Sequence, residues 1–161
     1  MNLQLFGREF RRGVFLLDVP EKKGSYCVVF SIDSLSFETK GGRPFFLENG
    51  VYVYVGSAFG TGGLKRRVLR HLRREKRKHW HFDFITTHPS FKPFEVWLFE
   101  GKRVECELAS FIGKVTEPVE GFGSTDCGCP SHLFRVEDLT LLKRMVENSF
   151  SAKIVRVSQR G

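Results

Sequence analysis

The chain contains no apolar run approaching the roughly 18 residues that a membrane-spanning helix requires, so the sequence excludes one. Its first twenty residues also lack the charged, apolar and small order of a secretory signal, because Arg8, Arg11 and Arg12 follow a very short apolar stretch. A cytoplasmic location is therefore expected, and in that compartment the four cysteines are not expected to form disulfides. Met and Trp occur only twice each, and there is neither an internal repeat nor a low-complexity linker. What the chain has in quantity is Phe, 17 copies in 161 residues, enough to give one domain a large buried area.

Charge is distributed unevenly. Residues 64–79 hold nine Lys and Arg against one Glu, a net +8, while the rest of the chain carries 17 of each sign. The whole excess thus lies in sixteen consecutive residues: Lys65, Arg66, Arg67, Arg70, Arg73, Arg74, Lys76, Arg77 and Lys78. One sign at this density, with almost no acidic partner at i+4, points to a polyanion, most simply nucleic acid. The alternative is a solvated helix face, or a docking surface for an acidic protein.

Residues 24–32 (GSYCVVFSI) and 51–57 (VYVYVGS) are β-branched and aromatic and predict strands. Residues 33–42 read as a connection or part of a hairpin, 44–49 as an edge strand, and Asn49-Gly50 as a turn. After a glycine-rich turn, Leu64, Val68 and Leu72 at i, i+4, i+8 predict a helix over 64–76. Alternation over 79–84 predicts a half-buried strand or the start of a short helix, with Trp80, Phe82 and Phe84 inward and His79, His81 and Asp83 outward. A further strand is expected over 94–99, a helix carrying Val104, Leu108, Phe111 and Ile112, a Gly/Cys loop over 120–131, a helix over 137–148 and a last strand over 153–157. The fold class is α+β: a small mixed or antiparallel sheet flanked by helices, in one domain spanning 1–161. Within it, 1–23 form an N-terminal strand or hairpin extension, 24–134 the core, and 135–161 a C-terminal helix and strand.

Two predicted strands present Tyr beside Gly, as Gly24-Ser25-Tyr26 and Tyr54-Val55-Gly56, and the second runs through glycines into the basic helix. Helix N-terminal amides, a glycine turn and Arg side chains one turn further in together favour an anionic oxygen. GSY, YVG and the run YVYVGSAFGTGGLKRRVLRHL, followed by KHWHFDF and GFGSTDCGCPSHLF, resemble the GIY-YIG nuclease superfamily and, more narrowly, its Uri branch, which also occurs attached to DNA-repair enzymes. The resemblance covers residues 24–134. It implies hydrolysis of phosphodiester bonds with one divalent cation, Mg²⁺ or Mn²⁺, and nucleic acid as partner, DNA ahead of RNA. It further implies that Tyr26 activates or positions water, that Arg67 holds the scissile phosphate, and that Tyr54 and His71 are secondary contacts or proton-transfer partners. A Glu on the next helix would bind the metal. A non-catalytic nucleic-acid-binding module of the same fold is the alternative.

Three features depart from the pattern. The 27 residues between Tyr26 and Tyr54 require an inserted hairpin or loop, over about 31–49. Ser25 replaces an apolar motif centre. The acid is ambiguous: strict spacing places Leu108 there, with Glu107 nearest and Glu105 close behind.

A second cluster, Cys127, Cys129 and His132 with Asp126 and Ser131 beside it, offers soft ligands in a tight loop. Three ligands fall short of an ordinary structural zinc site; Cys106 or His81 would complete it if the fold brought either near. Loop packing, or closure over the active site with His132 or Asp126 contributing, are the other readings. His79, His81 and Asp83 have metal-compatible spacing but more simply form a solvated or hydrogen-bonded polar face.

Overall fold

The structure, a computed structural model, describes residues 14–16, 18–123 and 127–159. Among these residues, nine strands and four helices follow one another as β1 (Val14–Leu16), β2 (Gly24–Ile32), β3 (Leu35–Glu38), β4 (Pro44–Leu47), β5 (Gly50–Ala58), α1 (Gly63–Leu72), α2 (Asp83–Thr86), β6 (Lys92–Glu100), α3 (Glu105–Gly113), β7 (Glu117–Pro118), β8 (Leu133–Val136), α4 (Leu139–Phe150) and β9 (Lys153–Gln159). Seven strands form one sheet in the order β1-β9-β6-β2-β5-β8-β7, every neighbouring pair antiparallel. The remaining two, β3 and β4, pair as a separate hairpin. This is the insertion that the wide spacing of Tyr26 and Tyr54 required.

β2 is apolar almost throughout because both of its faces are covered. Tyr26, Val28 and Phe30 point to one side and pack with Tyr52 against Leu64, Val68 and Leu72 of α1 and Ile85 of α2. Cys27 and Val29 point to the other, joining Val53, Val55, Trp97 and Phe99 against Leu108, Ala109 and Ile112 of α3 and Leu142 and Val146 of α4. The hairpin lies over the α1 face through stacked aromatics, Phe37 on Phe84 at 5.2 Å and Phe45 edge-on to Phe122 at 5.2 Å.

Several elements differ from the sequence reading. The helix expected over 64–76 ends at Leu72, where Arg73 turns to extended backbone. Lys76, placed on that helix by periodicity, instead lies beyond its end and donates to the last carbonyls, those of Arg70 and His71. Residues 79–84 are not a strand: the chain runs irregularly to Phe82, and the short-helix alternative holds from Asp83. β8, which pairs with β5, was not anticipated, because its four residues carry no alternation strong enough to set them apart from the preceding loop. β9 does extend the sheet, but between β1 and β6 rather than at its edge. Within the expected N-terminal extension, Val14–Leu16 forms a strand pairing with β9; residues 1–13 lie outside those described. No helix among the described residues is long and apolar enough to cross a membrane.

Candidate active site

Tyr26 and Tyr54 sit on adjacent strands, on the face covered by α1. The Tyr26 ring leans across Gly56 of the neighbouring strand: a Cβ built there would stand 2.3 Å from its hydroxyl oxygen. No larger residue fits, which gives the YVG motif a steric reason. The hydroxyl meets His71 Nε2 at 2.5 Å, both side chains being fully buried. Tyr54 stacks on Phe82 at 4.0 Å and turns its ring edge-on to His71.

Burial pushes Tyr26 well above the usual tyrosine range; Tyr54 adds to the rise, and the Arg67 guanidinium opposes it. Burial likewise raises Tyr54, with Glu105 contributing and Arg67 opposing. His71 is pushed well below its ordinary value by burial and by Lys76. The resting pair is therefore a neutral phenol and a neutral imidazole, and the imidazole tautomer decides which of the two donates. His71 Nδ1 is buried with no partner among the described residues.

Arg67 donates to the Ser57 carbonyl at 3.0 Å and lies against the Trp80 indole at 4.5 Å, with Arg70 against the same ring at 4.3 Å. Beside them opens a cleft of about 420 Å³ lined by Ala58, Gly60, Thr61, Gly63, Arg66, Arg67, Arg70 and Trp80. The expected main-chain phosphate nest at the start of α1 is not there. The amides of Gly63, Leu64 and Lys65 are already bonded to the carbonyls of Gly60, Lys22 and Pro20. Gly63, at φ +57°, is the residue that admits this segment; a Cβ would meet the Glu21 carbonyl at 2.1 Å. Of the charged groups lining the cleft, all are guanidiniums: Arg66, Arg67 and Arg70.

The acid beside the tyrosines is Glu105, which acts electrostatically on both hydroxyls. Glu107, favoured by spacing, lies about 200° around α3 from it and is exposed. Ser25 fixes where α3 begins: its buried hydroxyl accepts from the Val104 amide at 3.0 Å and donates to the Lys102 carbonyl at 2.8 Å. The polar motif centre therefore has a task on the opposite face of the strand from Tyr26.

The family model described as "Domain of unknown function DUF123" matches residues 25–155. The chain belongs to the DUF123 family. No curated protein and no solved structure matches it. The match takes in the side chains of the site, from Ser25 through Glu105 to β8, while the Pro20 and Lys22 carbonyls that brace the start of α1 lie just before it.

Not all of the basic run faces this DUF123 cleft or solvent. Arg70 makes a two-pronged pair with Asp83, both contacts at 2.8 Å. Arg74 donates to the carbonyls of His88 and Phe91, and the Lys76 side chain is only 4% exposed. Burial pushes Lys76 down to about 7, with Asp83 opposing the fall. All three, expected on sequence as phosphate contacts, hold the turn after α1 in place, and Arg70 lines the cleft as well. Arg66, Arg73, Arg77 and Lys78 are exposed and Lys65 is half-exposed. Asp83 itself is buried and also accepts from the amides of His79 and Trp80, which makes it a bend-forming group rather than a solvated or metal-binding one.

The second cluster also takes shape. Cys106, Cys127, Cys129 and His132 bring their ligand atoms within 4.8 Å of one another, a group able to hold a metal ion. Cys106 joins it from the first turn of α3; His81 does not, since it packs against Phe45 and Phe122 and faces the Gly123 amide. Asp126 lies outside the described residues. Ser131 is buried and turned to the main chain at Leu133. His132 Nδ1 stands 3.2 Å from Glu105 Oε2, so the two clusters share a carboxylate. Sequence reasoning missed Arg103 as well, whose guanidinium covers the Phe59 ring at 3.8 Å on the turn leading to the cleft. Its separation of 44 positions from Phe59 left no local signal.

Proposed function

We propose that this chain is a divalent-metal-dependent nuclease of the GIY-YIG type, hydrolysing phosphodiester bonds in nucleic acid. The reading is carried by the convergence of Tyr26, Tyr54, His71, Arg67 and Glu105 on one end of the sheet, beside a cationic cleft.

In this reading the scissile phosphate enters the cleft and takes the Arg67 guanidinium from the Ser57 carbonyl, a neutral acceptor that an anion outcompetes. Arg67 then stabilises the charge that develops on the phosphoryl oxygens. Its departure uncovers the Tyr26 hydroxyl. Tyr26 keeps its proton directed to His71, leaving its oxygen lone pairs to accept from and orient the attacking water. His71 can take the phenolic proton at Nε2 as the water gives up its own. Tyr54, against both Phe82 and His71, holds the imidazole plane.

The donor set suits a hard cation that retains much of its hydration, since Glu105 is the carboxylate acting on both tyrosines, while Asp83, which also acts on Tyr54, is bonded to Arg70. Glu105 would hold Mg²⁺ or Mn²⁺, which when bound supplies charge neutralisation at the phosphate.

The test is cleavage of plasmid and of single-stranded and branched oligonucleotides in Mn²⁺ and Mg²⁺, repeated with Arg67→Ala, Tyr26→Phe and Glu105→Gln. Cleavage by the native chain that falls about 10²-fold or more in each variant, while binding by Tyr26→Phe is kept, supports the reading. Binding without cleavage in any metal would leave a binding module.

A further inference from the structure

The four cysteines occupy two environments. Cys27 is sealed in the core beneath α3 and α4. The other three converge with His132 from separate stretches of chain: Cys106 from the first turn of α3, Cys127 and Cys129 from the loop between β7 and β8, and His132 from the residue before β8. We propose that these four side chains form a Cys₃His zinc site that ties this loop to α3.

Geometry and donor chemistry agree. A tetrahedral zinc with sulfur at about 2.3 Å and nitrogen at about 2.0 Å has ligand-to-ligand edges of roughly 3.5–3.8 Å. Cys127 Sγ and His132 Nε2 already stand 3.3 Å apart, and the whole set lies within 4.8 Å, so small rotations close the shell. Three sulfurs and an imidazole select a borderline-soft ion over Mg²⁺ or Mn²⁺. The second shell is present too. His132 is nearly buried, turns Nε2 to the thiols and Nδ1 to Glu105 at 3.2 Å, an arrangement in which a carboxylate fixes the imidazole tautomer for its metal. Main-chain bonds from Gly121 to Pro130 and from His132 to Phe122 hold the loop ends in place, so the ligands come from a braced turn.

One consequence rests on the nuclease reading. Zinc on His132 Nε2 leaves the ring proton on Nδ1, donated to Glu105, so the zinc site would steady the carboxylate that faces Tyr26 and Tyr54. The site itself stands without that reading.

Metal content tests it directly. The full chain is purified under reducing conditions, its zinc is measured, and the chelated chain is titrated with Co²⁺. Expected are about one zinc per chain and the intense thiolate-to-cobalt charge-transfer absorption of a tetrahedral sulfur-rich site. Cys106→Ser, Cys127→Ser, Cys129→Ser and His132→Asn should each lower zinc affinity by well over tenfold, Glu105→Gln by about 10- to 100-fold, and Cys27→Ala should leave it unchanged. The proposal fails if the reduced native chain binds neither zinc nor cobalt stoichiometrically. It fails equally if Cys27→Ala abolishes binding while the loop variants keep it, or if the three thiols remain fully reactive when zinc is in excess. None of these readings depends on cleavage, so loss of the nuclease reading leaves them intact.

Discussion

A phenol that crosses a neighbouring strand needs that strand to carry no side chain at the crossing. Tyr26 passes over Gly56 in this way, reaching His71 on α1. Gly56→Ala would drive a methyl to within 2.3 Å of both the Tyr26 hydroxyl oxygen and the carbon bearing it, against a ring that is 1% exposed. The expected loss is about 1–3 kcal/mol of stability, read as a lower urea midpoint, with the tyrosine displaced from His71. An alanine variant as stable as the native chain would mean the ring does not occupy that crossing. The two tyrosines and Arg67 were legible in the sequence because short motifs fix them. The choice between Glu105 and Glu107 was not. Helical periodicity left them equivalent, and what separates them is the anchoring of Val104 by Ser25, a contact across 79 positions. Likewise Cys127, Cys129 and His132 announce themselves as a local cluster, while Cys106 joins them only through the tertiary fold.

At the scale of elements, strands with turns at both ends were read well, and the turn after α1 was misread. The basic residues there continue the helical pattern in sequence, yet α1 stops at Leu72. The reason is Asp83, a buried carboxylate that takes two bonds from Arg70 and two from the amides of His79 and Trp80, folding the chain back on the helix. Such a hub leaves a pH signature. Burial by itself would raise the Asp83 carboxyl, but the Arg70 fork and the two amides outweigh it and hold it at about 2, against 3.8 for a free side chain. Its contribution to stability is thus complete above about pH 4 and is lost as pH falls through 2. Allowing for solvent screening on the cleft side, it amounts to about 1–2 kcal/mol. Asp83→Asn should therefore be less stable than the native chain at neutral pH by about this amount, and the difference should shrink between pH 4 and 2. Parallel stability curves for the two proteins across that interval would show that Asp83 does not hold the turn.

The whole molecule is cationic, +8 over 161 residues, and that excess was legible from composition alone. Which charges are free to meet a polyanion was not, because a guanidinium bonded inward and one facing water look the same in sequence. Of the nine basic residues in 64–79, Arg70, Arg74 and Lys76 are committed to Asp83 or to main-chain carbonyls. Lys65, Arg66, Arg73, Arg77 and Lys78 retain exposure, and Arg67 faces the cleft. Each phosphate neutralised on duplex DNA lowers the slope of log affinity against log salt by about 0.9. If all nine charges met phosphates the slope would be roughly −8; with six it is roughly −5. Binding to a duplex followed by fluorescence anisotropy over a salt series should give the shallower value. Replacing Arg73, Arg77 and Lys78 together by Gln should then reduce the slope by about 3, without loss of fold, because none of the three is buried. Replacing Arg74 should instead lower stability while leaving the salt slope nearly as it was. A slope near −8, or one that Arg74 changes as much as Arg73 does, would mean that the inward bonds give way on binding and that the turn after α1 is rebuilt around nucleic acid.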